Sequence, residues 1–205
     1  MDDKKIIHGI VFIQTWGESR PIVQILKNNN HVISVFHIMG RHSYMIDVDF
    51  DDKDELEYWI EQLKSLKLSS GVPAVIAIQS NKIIDIYKKK EDYTLKDYSQ
   101  IKDRYHMFMM IDNPHEDERL ISLLTSFNIV HTVLHVQGQH SFIAEIITEN
   151  YGSFKDLLRQ LKALDTVTCI ETQEVINVPK YRNQIIDEKG NLVCPQEDIR
   201  ELYML

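Results

Sequence analysis

Cysteine and long apolar runs are both scarce in this chain. Its 205 residues include only Cys169 and Cys194. Two cysteines are too few for a disulfide framework and are not spaced like a zinc ribbon, so free thiols in a reducing compartment are expected. Residues 1–5 lead directly into the short apolar run 6–13, with no stretch long enough for a signal peptide or a membrane span. The sequence predicts a cytoplasmic protein with no membrane partner.

Basic charge is also scarce. Lys and Arg number 23 against 31 Asp and Glu, and the formal net charge is −8. Direct DNA binding is therefore disfavoured, because it depends on Lys and Arg that neutralise phosphates. The basic run 88–90 is predicted to belong to a solvated linker rather than to a nucleic-acid patch.

The motifs of common catalytic sites are absent. With only seven glycines, the chain has no Gly-rich phosphate loop, and it also lacks a Gly-x-Ser-x-Gly elbow and a His-Glu-x-x-His pair. The acidic stretch 47–54 lacks the spacing of a calcium loop and predicts a solvated strand end followed by a helix cap. No catalytic residue is predicted, and a non-enzymatic role is favoured.

The chain does contain an internal duplication. A shift of 98 positions brings residues 33–44 over 131–142 and overlays His8 on His106. The register holds without a gap over roughly 60 residues at about a quarter identity, which indicates a repeat rather than coincidence.

Each copy shows the same order of predicted elements. The first strands are residues 6–13 and 105–111, and the first helices follow around Leu26 and Leu124. The second and third strands form hairpins at 32–39 with 44–50 and at 130–137 with 142–148. Second helices follow at 52–66 and 154–164. A last strand is expected within 74–78 or extending through 83–87, and within 167–172 and 175–178, where the copies fall out of register.

This order predicts an α+β fold made of tandem ferredoxin-like βαββαβ units. Several strands are apolar on both faces, so the two copies are expected to form a pseudo-dimeric α/β sandwich or barrel. The predicted divisions are a first domain at 1–90, a charged linker at 91–103, a second domain at 104–182, and a C-terminal tail with a short helix at 183–205.

A His-x-x-Gly-x-His-Ser motif occupies the same place in both predicted hairpins and marks the candidate ligand site. The candidate ligand-binding residues are His37, Gly40, Arg41, His42, Ser43 and Tyr44 in the first copy, and His135, Gly138, Gln139, His140, Ser141 and Phe142 in the second. The alternative is that these His and Ser side chains only hydrogen-bond the turn. A structural role is favoured for His8 and His106.

Four of these residues, His37, His42, His135 and His140, are also candidate metal ligands. Imidazole is a common ligand, so a two-fold axis that brought the four together could bind a transition metal or a haem-type tetrapyrrole. If the hairpins lie apart, two small-molecule pockets are expected instead.

The stretch 35–49, with the helix that follows, resembles the effector-binding domain of the Lrp/AsnC regulators, known as the regulation of amino-acid metabolism (RAM) domain. The resemblance covers nearly all of 6–90 and 104–182, and Gly40-Arg41-His42-Ser43 and Gly138-Gln139-His140-Ser141 stand where that family has Gly-x-Tyr-Asp. No helix-turn-helix precedes residue 6. The resemblance implies a stand-alone sensor that binds an effector such as an amino acid, forms a homo-oligomer and regulates a partner such as a transcription factor.

The competing hypothesis is a metal- or haem-binding protein or enzyme that uses the hairpin histidines. Siroheme decarboxylases resemble the same domains and use histidines near a tetrapyrrole, which implies a haem-type cofactor as the alternative to none. A third hypothesis is an assembly module in which residues 195–205 add a contact.

Overall fold

The computed structural model describes residues 6–16, 20–89, 104–114 and 117–187. The predicted linker at 91–103 and the tail beyond residue 187 lie outside the described residues, so the predicted domain divisions stay predictions. In the described ranges, no helix has both the length and the apolar character needed to cross a membrane.

Both copies contain the predicted elements in the predicted order. The first copy consists of β1 (Ile7–Thr15), α1 (Arg20–Asn28), β2 (Val32–Met39), β3 (Tyr44–Phe50), α2 (Lys53–Ser65) and β4 (Val75–Lys89). The second consists of β5 (Tyr105–Asp112), α3 (Glu118–Ser126), β6 (Val130–Gln137), β7 (Phe142–Thr148), α4 (Tyr151–Lys162) and β8 (Cys169–Tyr181), followed by the short β9 (Gln184–Ile185). The α+β class and the tandem ferredoxin-like plan are confirmed.

Polar side chains begin three of the helices. Asp52 accepts a hydrogen bond from the backbone N–H of Glu55 at the start of α2, which confirms the predicted helix cap. Asp117 accepts from the N–H of Arg119 before α3, and Asn150 accepts from the N–H of Gly152 before α4. These acceptors satisfy N–H groups that have no partner within the helix.

The chain forms two compact units, and each unit contains a piece of the other copy. Unit 1 comprises Met1–His37, His42–Ile78 and Asn177–Leu205. Its strand order is β2, β3, β1, β4, and the end of β8 lies beside β2, where the N–H of Asn183 donates to Ile33 O over 2.8 Å. Residues 177–187, which belong to the second copy, therefore complete the unit formed mainly by the first copy.

Unit 2 comprises Ile38–Arg41 and Gln79–Ile176. Its strand order is β4, β6, β7, β5, β8, with β4 antiparallel to β6 from Lys82 opposite Gln137 onwards. The part of β4 from Gln79 on, which belongs to the first copy, thus forms one edge of the sheet in unit 2.

Each unit has a core between its sheet and its helices. In unit 1 this core includes Val11, Ile13 and Tyr44 from the strands, with Ile22, Leu26, Trp59 and Leu63 from the helices. In unit 2 the matching core includes Met109, Ile111 and Phe142, with Leu120, Leu124, Phe154 and Leu157. The opposite sheet face is buried as well, at Ile10, Phe12 and Met45 in unit 1 and at Phe108, Met110 and Ile143 in unit 2. Burial of both faces agrees with strands that are apolar on both sides.

The last strands, β4 and β8, are longer than the sequence indicated, and they follow a different offset. Each is a single strand, and residues 75–89 match 167–181 at a shift of 92 rather than 98. This shift pairs Asn81 with Gln173 and Lys88 with Lys180. The loss of register therefore comes from a connection before β4, which includes the isolated bridge between Lys67 and Pro73, that is longer than its counterpart.

At Lys88 the prediction of a solvated basic linker is wrong, because this lysine lies in β4 and bonds the end of a helix. Lys88 Nζ donates to the carbonyl oxygens of Thr125 and Phe127, over 2.8 and 2.9 Å, at the end of α3. Lys180 Nζ donates to Asn29 O over 2.9 Å, just beyond α1, and its burial lowers the pKa of this amine. A cation at a helix C-terminus is favoured by the helix dipole.

Candidate functional site

The two serines of the repeated motif fasten each hairpin to the first strand of its copy. The hydroxyl of Ser43 accepts from the N–H of Thr15, and that of Ser141 accepts from the N–H of Asn113, both over 3.1 Å. The serine N–H groups donate to Ile13 O and Ile111 O. These contacts hold each turn in place by bonding the end of the first strand rather than the turn itself.

His37 and His135 stack on the aromatic residue across their hairpin. The ring centroids of His37 and Tyr44, and of His135 and Phe142, are 5.0 Å apart. Tyr44 and Phe142 belong to the helix-facing cores, so the two half-buried histidines lie on that side of their sheets. Directly opposite aromatic pairs of this kind stabilise a hairpin.

His42 and His140 lie on the other side of their sheets. His42 is buried with its ring 5.0 Å from that of Phe12. His140 is buried beside Asp112, on the sheet face of unit 2 that does not contact the helices. The two histidines of each motif therefore point to opposite faces. The described residues contain no group of three or more His, Cys, Asp or Glu side chains that could hold a metal ion, so the four-histidine metal hypothesis finds no support there.

The pair formed by Asp112 and His140 is the most distinctive polar arrangement in the repeated hairpins. Asp112 Oδ1 lies 2.8 Å from His140 Nδ1, and the His140 side chain is 4% exposed. A carboxylate at this distance accepts the Nδ1 proton, so the neutral ring carries its lone pair on Nε2. His140 Nε2 is buried and has no hydrogen-bond partner among the described residues.

An unpartnered buried acceptor has a cost. Leaving such a group without a hydrogen bond destabilises a fold by about 1–3 kcal/mol. Groups of this kind are rare in native structures and call for an explanation in strain, in catalysis or in a ligand. A histidine fixed by a carboxylate at one nitrogen and free at the other is the arrangement that metal-ligating histidines show.

The first copy has no carboxylate at the position equivalent to Asp112. The shift of 98 places Gln14 at the position of Asp112, although the serine contacts to Thr15 and Asn113 are the same in both copies. An uncharged amide oxygen is a weaker acceptor for an imidazole N–H than a carboxylate is. The two copies have therefore diverged at the residue that orients the histidine.

The motif glycines are required by close packing. A Cβ on Gly138 would overlap Asn81 Oδ1, and a Cβ on Gly40 would lie 3.0 Å from Gln173 Cγ. Gly40 also has φ of 155°, which L residues rarely adopt. Arg41 and Gln139, which follow these glycines, are exposed.

A second histidine–carboxylate cluster lies at the start of the first strand in each copy. His106 Nε2 is 2.9 Å from Glu145 Oε1, and Thr132 donates to Glu145 Oε2. Burial alone would raise the pKa of Glu145, but hydrogen bonds from His106 and Thr132 and the charges of His106 and His131 hold it below its ordinary value.

In the first copy the two nitrogens of His8 face Asp47 Oδ1 at 3.1 Å and Asp49 Oδ1 at 2.8 Å. Asp47 and Asp49 of the acidic stretch therefore pair with His8 while their side chains stay 27% and 40% exposed. The structural role favoured for His8 and His106 agrees with these ion pairs.

The sequence did not identify Asp112, Asn81 or Gln173. Asp112 ends a strand that precedes its histidine by 28 residues, so no local motif links the two. A comparison of the copies at the shift of 98 gives the one available signal, the exchange of Gln14 for Asp112. A comparison at the shift of 92 would have shown that Asn81 and Gln173, both amides, occupy equivalent positions in the two last strands.

No protein-family model and no curated protein sequence matches the chain. Solved structures do match. The siroheme decarboxylase NirDL aligns with a TM-score of 0.60 at 7% identity, over 90% of this chain and 76% of that one. Its co-complex with an iron-uroporphyrin III analogue aligns with a TM-score of 0.56 at 8% identity, over 96% and 78%.

Two further proteins share the arrangement. A chlorite dismutase variant from Candidatus Nitrospira defluvii aligns with a TM-score of 0.50 at 14% identity, over 86% of this chain and 93% of that one. An anthrone oxidase-like protein aligns with a TM-score of 0.50 at 11% identity, over the same shares. What they share is the fold. Those proteins are dimeric α+β barrels built from ferredoxin-like units.

The resemblance to Lrp/AsnC effector domains is therefore wrong. The structural neighbours are chlorite dismutase, siroheme decarboxylase and an anthrone oxidase-like protein, and not RAM domains. The physical reason is that the matched motif is a tight turn. A glycine between the second and third strands of a ferredoxin-like unit is needed for packing, as Gly40 and Gly138 show, and does not distinguish one family from another.

Proposed function

We propose that this protein binds a haem-type tetrapyrrole, with His140 Nε2 as a ligand to its iron. The observation that carries the proposal is the buried, unpartnered Nε2 of a histidine whose Nδ1 is held by Asp112 at 2.8 Å. Neutral imidazole is a good ligand for iron, and a carboxylate at the far nitrogen fixes the ring and strengthens its donor atom.

The surroundings of His140 fit such a group. Asp112 alternates along β5 with Met110 and Phe108 on one sheet face, and both are buried. An apolar sheet face suits the flat, mostly apolar macrocycle, and the histidine supplies the polar contact. When bound, the group would supply an iron centre whose properties the axial ligand tunes. Nε2 is covered in the chain as it stands, so side chains over it must move for binding.

Divergence between the copies supports one site per chain. Asp112 has Gln14 as its counterpart at the shift of 98, so the carboxylate at this position belongs to the second copy alone. The candidate ligand-binding residues therefore differ in role: His140 is the proposed ligand, while His37, His135, Ser43 and Ser141 hold their hairpins.

The likeness to siroheme decarboxylase supports this proposal over the sensor hypothesis. That protein was solved with an iron-uroporphyrin III analogue and shares its fold with most of this chain. The sensor hypothesis, with its amino-acid effector and transcription-factor partner, rested on the Lrp/AsnC resemblance and has lost its basis. Homo-oligomerisation stays a prediction.

Titration with iron protoporphyrin IX and iron uroporphyrin III tests the proposal directly. The wild-type chain is expected to bind one equivalent of at least one of them and to shift its Soret band. His140→Ala is expected to lose that shift, because the ligand nitrogen is gone. His42→Ala is the matched control, since His42 is equally part of the motif and buried. The absence of saturable binding, or an unchanged Soret band in His140→Ala, would overturn the proposal.

Asp112→Asn provides a graded second test. The amide cannot hold the imidazole as the carboxylate does, and loss of such a partner typically weakens metal affinity by about 10–100-fold. The expected result is weaker binding with the His140-dependent spectrum retained, measured in the same titration. Equal affinity for Asp112→Asn and wild type would show that the carboxylate has no part in binding.

A further inference from the structure

We propose that Asn81 is a positioning residue for His140, which it fixes by anchoring the turn that carries this histidine. The proposal rests on the proposed function for the identity of the ligand, and on the geometry of unit 2 alone for the anchoring itself. Asn81 lies in β4, at the start of its pairing with β6, and is 1% exposed.

The amide of Asn81 contacts both residues of the turn. Its Oδ1 accepts a hydrogen bond from the N–H of Gln139 over 3.2 Å. The same oxygen occupies the space that a side chain at position 138 would fill, so only glycine allows this approach. The turn therefore cannot move towards or away from β4 without losing a hydrogen bond or creating an overlap.

The residue on the other side of His140 is anchored independently. Ser141 exchanges two hydrogen bonds with the backbone of Asn113: its hydroxyl accepts from the N–H over 3.1 Å and donates to the carbonyl over 2.8 Å. His140 thus stands between two fixed neighbours, with its ring held at Nδ1 by Asp112. Three anchors, Asn81 in β4 and the adjacent Asp112 and Asn113 at the end of β5, define where Nε2 lies.

The other hairpin offers a matched control. Gln173, the counterpart of Asn81 at the shift of 92, packs its Cγ and Cδ against Gly40 and is fully buried. Gln173→Ala therefore removes a buried amide of the same kind beside the turn that leads to His42. Both contacts lie within unit 2, so the two variants perturb comparable environments.

The first measurement uses the ligand-free chain. Nitrogen chemical shifts of the imidazoles, assigned with His140→Ala, report the tautomer and order of His140. Asn81→Ala is expected to shift or broaden the His140 signals, while Gln173→Ala leaves them at their wild-type positions. Asn81→Asp keeps an oxygen acceptor for the N–H of Gln139 and is expected to restore them. If Asn81→Ala does not fold, Asn81→Ser is used instead. Its shorter side chain keeps an oxygen but does not reach the N–H of Gln139, so the same change in the His140 signals is expected.

The second measurement is affinity for the iron tetrapyrrole that the wild type binds. Asn81→Ala is expected to bind about 10–100-fold more weakly, as for other partners that orient a metal ligand. Wild-type His140 signals in Asn81→Ala, or equal effects of Asn81→Ala and Gln173→Ala on them, would overturn the positioning role. A wild type that binds no tetrapyrrole would contradict the proposed function and leave the chemical-shift experiment to decide the role of Asn81.

Discussion

At the scale of single residues, Gly138 lies where no larger residue fits. An alanine there must push Asn81 or the turn aside, and overpacking of this kind typically costs about 1–3 kcal/mol. Gly138→Ala is expected to lower the free energy of unfolding by about that amount, as measured by urea denaturation.

A double-mutant cycle shows whether the stability loss in Gly138→Ala comes from the overlap of the new Cβ with Asn81. Asn81→Ala with Gly138→Ala removes the atom that the new Cβ meets, so the combined loss should be smaller than the sum of the two single losses. Additive losses would show that the contact with Asn81 does not explain the glycine.

The residues of the candidate site could be predicted only in part. The repeated motif drew attention to His140, but it gave equal weight to His37, His42 and His135. Residue spacing along a hairpin cannot show which histidine will find a carboxylate, because Asp112 comes from a different strand 28 residues earlier. Stacking on Tyr44 and Phe142 likewise follows from strand pairing and not from the motif itself.

At the scale of elements, the N-terminus of α3 depends on one carboxylate. Arg119 and Thr166 donate to Asp117, at 3.0 to 3.1 Å and 2.6 Å, and these hydrogen bonds lower the pKa of Asp117 to about 2. A carboxyl group whose pKa is lower in the folded state stabilises the fold above its ordinary value of 3.8. That stabilisation is lost as the pH falls from about 4 through about 2.

Replacing this carboxylate tests its part in acid unfolding. Asp117→Asn is expected to unfold with a smaller loss of stability between pH 4 and pH 2 than wild type, measured by denaturant titration at each pH. Thr166→Val, which removes one of the donors, should give an intermediate dependence. If the free energy of unfolding falls equally with pH in wild type and Asp117→Asn, Asp117 has no part in acid unfolding.

The order of the strands and helices was predictable from the sequence, but the equivalence of the last strands, β4 and β8, was not. Alternating apolar residues and helical spacing indicated every strand and helix up to α2 and α4. A single shift of 98 could not follow the repeat past the longer connection before β4, so the equivalence of Lys88 with Lys180 was hidden. At a shift of 92 the two lysines are equivalent, and each of them bonds the C-terminal end of the first helix of the other copy.

At the scale of the whole molecule, unit 1 depends on the end of the chain. Val178 and Tyr181 are buried in it, and the rings of Tyr181 and Phe36 are 6.1 Å apart. A chain that ends at Ile176 is expected to lose about 3 kcal/mol or more of stability in unit 1, because each buried large apolar side chain contributes about 1.5–3 kcal/mol.

Fluorescence of Trp59, which is buried in the core of unit 1, reports this loss during urea unfolding. A chain that ends at Asp187, the last described residue, keeps the strand and is the matched comparison. Equal midpoints for the two truncated chains would show that residues 177–187 do not support unit 1.

The duplication and the α+β class followed from the sequence, whereas the exchange of last strands between the copies did not. When two copies share one pattern of strands, the last strand of each copy can pair with strands of its own copy or with strands of the other copy. Strand periodicity is identical in the two cases, so only the three-dimensional pairing of β4 with β6 and of the end of β8 with β2 distinguishes them.

This exchange sets the order in which the protein can mature on the ribosome. Translation delivers β2 long before residues 177–187, at roughly 5–20 residues per second. Until those residues emerge, the nascent chain presents β2 as an open edge, and unpaired edges are sites where chains associate wrongly. Unit 1 is therefore begun before unit 2 and completed after it, so the interval before residues 177–187 emerge is the one in which the β2 edge is exposed to wrong pairing.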